Sequence, residues 1–298
     1  MRFLLTGSTG FIGSYLRSML LQDGHDLLVV TRSPESYTSL QSTNQQFISW
    51  DTDLSVQMES VDVVIHMAGE NIFGQRWTDS VKRAIRESRI LSTRRLVNAM
   101  EKASKPPELL ISASGVGYYG DGGNKILDES SPVGDDFLAS VCSDWELEAL
   151  AAERFGVRVV TPRFGLALQA DGGILEKMKL PFLLFVGGPI GSGDQYLPWI
   201  HMRDLCRVIL YPVGKPGLSG PLNACSPAPV TMSEFTGIMG KVLNRPSLIR
   251  IPEWLLKGVL GEAAGPVVGS LNVRPKKLLD AGFSFEFEDL EEALADLL

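Results

Sequence analysis

Apolar residues fill positions 3–5 and run directly into three glycines spaced three apart, Gly7, Gly10 and Gly13. A short unbroken apolar run predicts a strand covered on both faces. Residues 11–21 then carry apolar side chains at helical spacing and stop at Asp23-Gly24, a helix-end signal. The same alternation recurs down the chain. Strands are predicted over 27–30, 47–51, 61–67, 109–112 and 157–161, and helices over 78–100 and 137–155. On the first of those helices Val81, Ile85, Ser88, Leu91 and Leu96 share a face. Strands alternating with helices at this length form right-handed crossover units, so the fold class is α/β with a doubly wound parallel sheet. The texture changes from residue 166. Gly172-Gly173 and the run 187–195 are loop material around an amphipathic helix at 174–180. Residues 199–211 return to a strand-like start and a helix, 222–225 form a short parallel strand, and 231–298 read as mostly helical.

A strand, a glycine turn and a helix in succession place backbone N–H groups and the positive helix end where a pyrophosphate can lie. Gly7, Gly10 and Gly13 permit the tight turn, the close approach and the helix–strand contact, with Thr9, Phe11 and Ile12 completing the turn. After the second strand comes Thr31-Arg32-Ser33, where NAD-binding chains keep an acidic residue for the ribose. A guanidinium there binds a 2′-phosphate bidentately, which favours NADP over NAD; the bland alternative is a solvated loop charge. Asp51 can accept from the adenine amino group. The fourth strand ends in Met67-Ala68-Gly69-Glu70, small residues over which a cofactor can lie, and His66 inside that apolar run reads as a packed core histidine. The fifth ends in Ser112-Ala113-Ser114, followed by Tyr118 and Tyr119, hydroxyls able to donate to an oxygen that gains charge, or else a polar turn.

Composition bounds the partners. The 298 residues carry a net charge of −7 and include three cysteines, Cys142, Cys206 and Cys225. That balance gives no electrostatic grip on nucleic acid or an anionic membrane, and an odd cysteine count without C-x-x-C argues against disulfides or a zinc site. No metal site is expected. With a first strand beginning at residue 2 and no apolar run long enough to span a bilayer, the expected location is the cytoplasm.

Thr6-Gly7-Ser8-Thr9-Gly10-Phe11-Ile12-Gly13 and Trp199-Ile200-His201-Met202-Arg203-Asp204-Leu205 resemble motifs of the extended short-chain dehydrogenase/reductase superfamily. More closely, the chain resembles the YfcH-type epimerase-like subfamily, with its C-terminal DUF1731-like domain. The carrying stretches are residues 67–72, 76–78, 88–89, 117–120, 187–193, 274–275 and 281–283, spread over almost the whole chain. The resemblance implies an NADP-binding Rossmann domain over residues 1–165, completed by approximately 199–226. A smaller substrate lobe would comprise 166–198 and 227–298. By similarity, Thr31 and Arg32 hold the adenosine phosphate, Met67, Ala68 and Gly69 line the cofactor, and Arg89 reaches it from its helix. The superfamily's Tyr-x-x-x-Lys pair should fall within 137–148, a window that contains neither tyrosine nor lysine.

Three functions compete on these residues. The first is an NADP-dependent oxidoreductase acting on a small carbonyl or alcohol, with Ser114 and Tyr118 or Tyr119 polarising the substrate oxygen. The second is a nucleotide-sugar epimerase or dehydratase, for which Lys177, Lys179, His201 and Arg203 are the basic groups on offer. The third is a non-catalytic NADP(H) sensor or scaffold. Gln195, with Ser114 and Tyr118, would bound the space above the nicotinamide. Glu70 is open to a ribose or a substrate hydroxyl, and His201 either positions substrate or ties the lobe to the sheet. The run 187–193 either clamps a phosphate through its amides or lets the loop bend. Related folds dimerise through the helices corresponding to 78–100 and 137–155, so a homodimer is expected.

Overall fold

The computed structural model describes residues 1–73 and 75–298. Seven parallel strands form the central sheet: β1 (Arg2–Thr6), β2 (Asp26–Thr31), β3 (Gln45–Ser49), β4 (Val63–His66), β5 (Leu109–Ser112), β6 (Arg158–Phe164) and β7 (Gly220–Ala224). Their order is β7-β6-β5-β4-β1-β2-β3, and the two-residue strand Ser114–Gly115 extends β5 alongside β6. The longer helices are α1 (Phe11–Gln22), α2 (Asp79–Lys102), α3 (Phe137–Leu150), α4 (Gly173–Leu183), α5 (Met202–Leu210), α6 (Met232–Leu243), α7 (Glu253–Leu260) and α8 (Leu290–Leu297).

The unbroken apolar strands are explained by cores on both faces of the sheet. Phe3 and Leu5 of β1 join Val29, Ile65 and Ile111 in a core completed by Leu16 and Leu20 of α1 and by Leu205 and Ile209 of α5. Leu4 points the other way, into a core with Leu28, Val64, Leu110 and Val159 that Leu96 and Met100 of α2 close. A period of two thus delivers alternate residues to opposite helical layers. Local chemistry sets the helix starts: Thr78 accepts from the Val81 N–H at the head of α2, and Asp136 from the Ala139 N–H at the head of α3. The helix expected over 137–155 keeps α geometry to Leu150 and tightens into a 3₁₀ turn at Ala151–Phe155, closed by Gly156 at φ 79°.

The C-terminal region is helical and packs around Trp199. Leu175 and Phe182 of α4, Phe235 and Met239 of α6 and Leu294 of α8 share that core. Helix α6 starts on a capping box between Thr231 and Glu234. One element departs from the helical expectation. Leu271–Val273 is a strand that pairs in parallel with Gly123–Leu127, tying the tail to the loop after β5. These strands are short, and 123–126 are exposed, so neither carries the alternation by which a strand is read from sequence.

Candidate active site

The strand order reverses between β1 and β4, and the C-terminal ends of these two neighbours define the crevice where ligands of such sheets lie. Gly7 takes φ 70°, and a Cβ there would fall on the Met67 carbonyl oxygen and within 2.7 Å of the Ala68 nitrogen. A Cβ at Gly13 would overlap the Gly7 and Ser8 backbone. Both glycines are therefore required by the protein's own packing. Gly10 is different. Nothing but the Gly7 carbonyl, at 3.3 Å, approaches its side-chain position, and it lines an open cavity of about 530 Å³ with Thr9, Phe11 and Gln169. Gly10 also caps α1 without any side-chain hydrogen bond, leaving the helix's first amides to a ligand. Ile12 packs into the core, while the Phe11 ring sits where side chains on Gly172 and Gly173 would be, bridging the turn to the second lobe.

At the end of β2, Thr31 is buried and Arg32 exposed, with no acidic partner for Arg32 among the described residues. Asp51 is exposed beyond β3, accepting from the Ser49 hydroxyl at 3.3 Å. Around β4 the helix α2 supplies the polar groups. The Arg89 guanidinium donates to the Ile85 carbonyl at 2.9 Å and the Glu70 carbonyl at 3.0 Å, and lies 5.2 Å from the Trp145 ring centre. A side chain on Gly69 would press against it. Burial pulls its pKa down, and no carboxylate forms an ion pair with it among the described residues. Glu70 donates its backbone N–H to Ser88 and leaves its carboxylate without a protein partner among the described residues.

His66 is a core histidine, as expected. Thr93 gives its proton to the Arg89 carbonyl at 2.7 Å, so His66 Nε2 must donate to Thr93 at 2.9 Å and Nδ1 must accept from Thr6 at 2.6 Å. That tautomer is neutral. Burial, reinforced by Arg89, holds the pKa down at about 3.

The loop after β5 separates hydroxyls that the sequence grouped together. Ser114 donates to Glu146 at 2.7 Å, and Glu146 also accepts two bonds from Arg163, each 2.8 Å. Arg163 donates to the Tyr119 oxygen at 2.9 Å, and Tyr119 donates to Asn223 at 2.6 Å. Burial pushes the Tyr119 pKa up, more than Arg163 and Asn223 can offset. Burial alone would lower that of Arg163, but the Glu146 carboxylate and Tyr119 together raise it. Ser114 and Tyr119 thus have their protons engaged inside the protein. Tyr118 does not. It is half-buried, its face lies 3.4 Å from the Arg163 guanidinium carbon, and its hydroxyl has no protein partner among the described residues.

Two residues expected to touch substrate, Gln195 and His201, also make contacts within the protein. Gln195 is buried, accepts from the Gly193 N–H at 3.0 Å and donates to the Ile190 carbonyl at 2.8 Å, so it shapes the 187–195 loop from within. His201 is buried, caps α5 by accepting from the Arg203 N–H, stacks on Phe287 and faces Asp296 of α8 at 3.2 Å. These contacts join the strand Trp199–His201 to the C-terminal helix α8.

The description of the NAD dependent epimerase/dehydratase family matches residues 3–221, from β1 to the start of β7. The chain belongs to that family. A domain of unknown function, DUF1731, matches residues 251–297 of this epimerase-family chain. Epimerase family protein YfhF of Bacillus subtilis is 38% identical over all of the chain and 98% of its own length. The crystal structure of the human epimerase family protein SDR39U1 with NADPH superposes with a TM-score of 0.90 at 34% identity, covering 100% of this chain and 99% of that one. UDP-glucuronic acid 4-epimerase of Bacillus cereus shares the fold, with a TM-score of 0.81 at 17% identity, 100% of this chain and 98% of that one. Within the family's framework, the buried Arg163–Glu146 pair and Trp145 were not singled out from the sequence as site residues. Arg163, closing the run Val159-Val160-Thr161-Pro162, was the available signal, because a charge at a core position requires a partner; Glu146, between Asp144 and Glu148 on α3, carried none of its own.

Proposed function

We propose that this protein binds NADP(H) across the β1–β4 crevice and transfers hydride between the cofactor and a small carbonyl or alcohol, with Tyr118 as the group that exchanges the proton. The observation that carries the cofactor reading is Gly10, whose side-chain position meets only the Gly7 carbonyl, at 3.3 Å, at the start of a helix with no side-chain cap. The human relative solved with NADPH supports the same cofactor. The pyrophosphate would rest on residues Gly7 to Gly13, the adenosine phosphate on Thr31 and Arg32, and the ring end along Met67, Ala68 and Gly69, with Arg89 supplying positive charge. When bound, the cofactor supplies or accepts hydride; the protein's part is to orient the substrate oxygen and move a proton.

Tyr118 suits that part because its ring is fixed against Arg163, itself held by Glu146, while its hydroxyl has no protein partner among the described residues. Ser114 and Tyr119 support it from behind. Replacing Tyr118 by Phe should lower turnover by at least about 100-fold, the ordinary worth of general acid catalysis, with NADPH affinity retained. Tyr119→Phe should instead lower stability. Full turnover by Tyr118→Phe would overturn the assignment. A protein that binds NADPH and turns over no carbonyl compound would be the sensor that the engaged Ser114 and Tyr119 also allow.

The partner reading includes a homodimer through α2 and α3. Leu91 and Leu147 are 53% and 69% exposed on these helices, beside the Arg94–Glu148 pair that links them. A cytoplasmic location is supported by three free, buried cysteines.

A further inference from the structure

Glu70 stands just beyond β4, one residue past the strip Met67–Gly69, and α2 fixes its backbone at both ends. Its N–H donates to the Ser88 hydroxyl at 2.9 Å, and that hydroxyl can accept because its own proton goes to the Ile85 carbonyl at 3.1 Å. The Glu70 carbonyl accepts from Arg89 at 3.0 Å. The chain on either side is confined as well. A Cβ on Gly69 would come within 3.0 Å of the Arg89 guanidinium, the Asn71 side chain accepts from the Phe73 N–H at 2.9 Å, and the Trp77 indole donates to the Ile72 carbonyl at 3.0 Å.

On this fixed mount the Glu70 side chain is half-buried, and its carboxylate has no hydrogen bond or ion pair among the described residues. Arg89, whose pKa burial lowers and the charge of Glu70 helps to hold up, spends its recorded hydrogen bonds on the Ile85 and Glu70 carbonyls. The carboxylate that α3 brings to the adjoining end of β5 is occupied: Glu146 accepts from Ser114 and twice from Arg163. A partly desolvated carboxylate gains most from donors that a ligand brings to it. Its two oxygens accept only, and their spacing suits two adjacent hydroxyls.

The ring end of NADP(H), laid along Met67, Ala68 and Gly69, carries such a pair on its ribose. Dinucleotide sites hold the adenosine ribose with an acidic residue, and this chain has Arg32 there instead. We infer that Glu70 binds the 2′- and 3′-hydroxyls of the nicotinamide ribose, with Ser88 and Arg89 as positioning residues that hold its backbone. The inference rests on the cofactor reading above and leaves Tyr118 to the substrate.

Calorimetric titrations of the full chain test it with three ligands. These are NADPH; 2′-phospho-ADP-ribose, which keeps that ribose but lacks the ring; and 2′,5′-ADP, which lacks both. Glu70→Ala should weaken the first two at least about tenfold, the lower end of what a hydrogen bond to a charged group contributes, and leave 2′,5′-ADP unchanged. Glu70→Gln, which keeps the shape and one acceptor oxygen, and Ser88→Ala, which frees the backbone, should each show a smaller loss confined to the same two ligands. Wild-type affinity for NADPH in Glu70→Ala overturns the inference. So does a loss for NADPH alone, which would put the carboxylate on the ring, and so does an equal loss for all three ligands in both Glu70 variants, which would make its role purely structural. A wild type that binds none of the three condemns the cofactor reading and this inference with it. One that binds all three, beside a Glu70→Ala variant that binds them equally well, condemns this inference alone.

Discussion

Gly7 and Gly10 lie three residues apart in one turn, yet replacing each by alanine should fail in different ways. At Gly7 the backbone sits at φ 70°, which costs an alanine on the order of 1 kcal/mol. Its methyl would also meet the Met67 carbonyl and the Ala68 nitrogen at 2.7 Å, atoms fixed by the Met67 N–H bond to Thr6 at 3.1 Å. Overpacking of that kind adds about 1–3 kcal/mol. The sum is about 3 kcal/mol, which lowers the melting temperature by roughly 5 °C for a chain of this size. Gly10 has φ −89°, open to any residue, and only the Gly7 carbonyl near it. Its alanine loses a preferred cap residue, about 0.5–1 kcal/mol, and roughly 1–2 °C. The methyl would stand where the pyrophosphate must approach, so NADPH affinity should fall at least about tenfold, worth 1.4 kcal/mol. Thermal melts and NADPH fluorescence titrations on both variants check this. The reasoning fails if Gly10→Ala binds NADPH like the wild type, or if both variants melt alike.

His66 makes stability depend on pH. Its folded pKa is about 3 against about 6.5 unfolded, so between those values the unfolded chain binds more protons and stability is lost on acidification. From pH 6.5 to 5 the loss should be about 2 kcal/mol, measured by urea unfolding; His66→Gln should reduce that difference, and an unchanged difference would contradict the buried neutral ring. Leu147→Asp should return a homodimer to monomer in sedimentation velocity, whereas a wild type that is monomeric at all concentrations would remove the proposed α2–α3 interface.

The sheet was legible because its strands are buried on both faces and its turn has a chemical signature. Phe3 to Leu5 could hardly be anything but a central strand, and glycines at 7, 10 and 13 follow it directly. Core chemistry was legible where an ionisable residue sat in an apolar run, as with His66. The hydroxyl loop was not. Ser114, Tyr118 and Tyr119 look alike in sequence, and only the arrival of Glu146 from α3 and Asn223 from β7 decides that the protons of Ser114 and Tyr119 are engaged while the Tyr118 hydroxyl has no protein partner among the described residues. The partners of Gln195 and His201, Ile190 and Asp296, were not legible either, since they are set by loop closure and by a helix at the far end of the chain.

The central claim is a site built for the 2′-phosphorylated dinucleotide, and parallel titrations of the protein with NADPH and NADH test it most directly. A charge-assisted contact from Arg32 is worth about 1.5–3 kcal/mol. The wild type should therefore bind NADPH at least about tenfold more tightly than NADH, and Arg32→Ala should bring the two affinities together by weakening NADPH alone. Equal affinity of the wild type for both nucleotides, or no binding of either, would contradict the account.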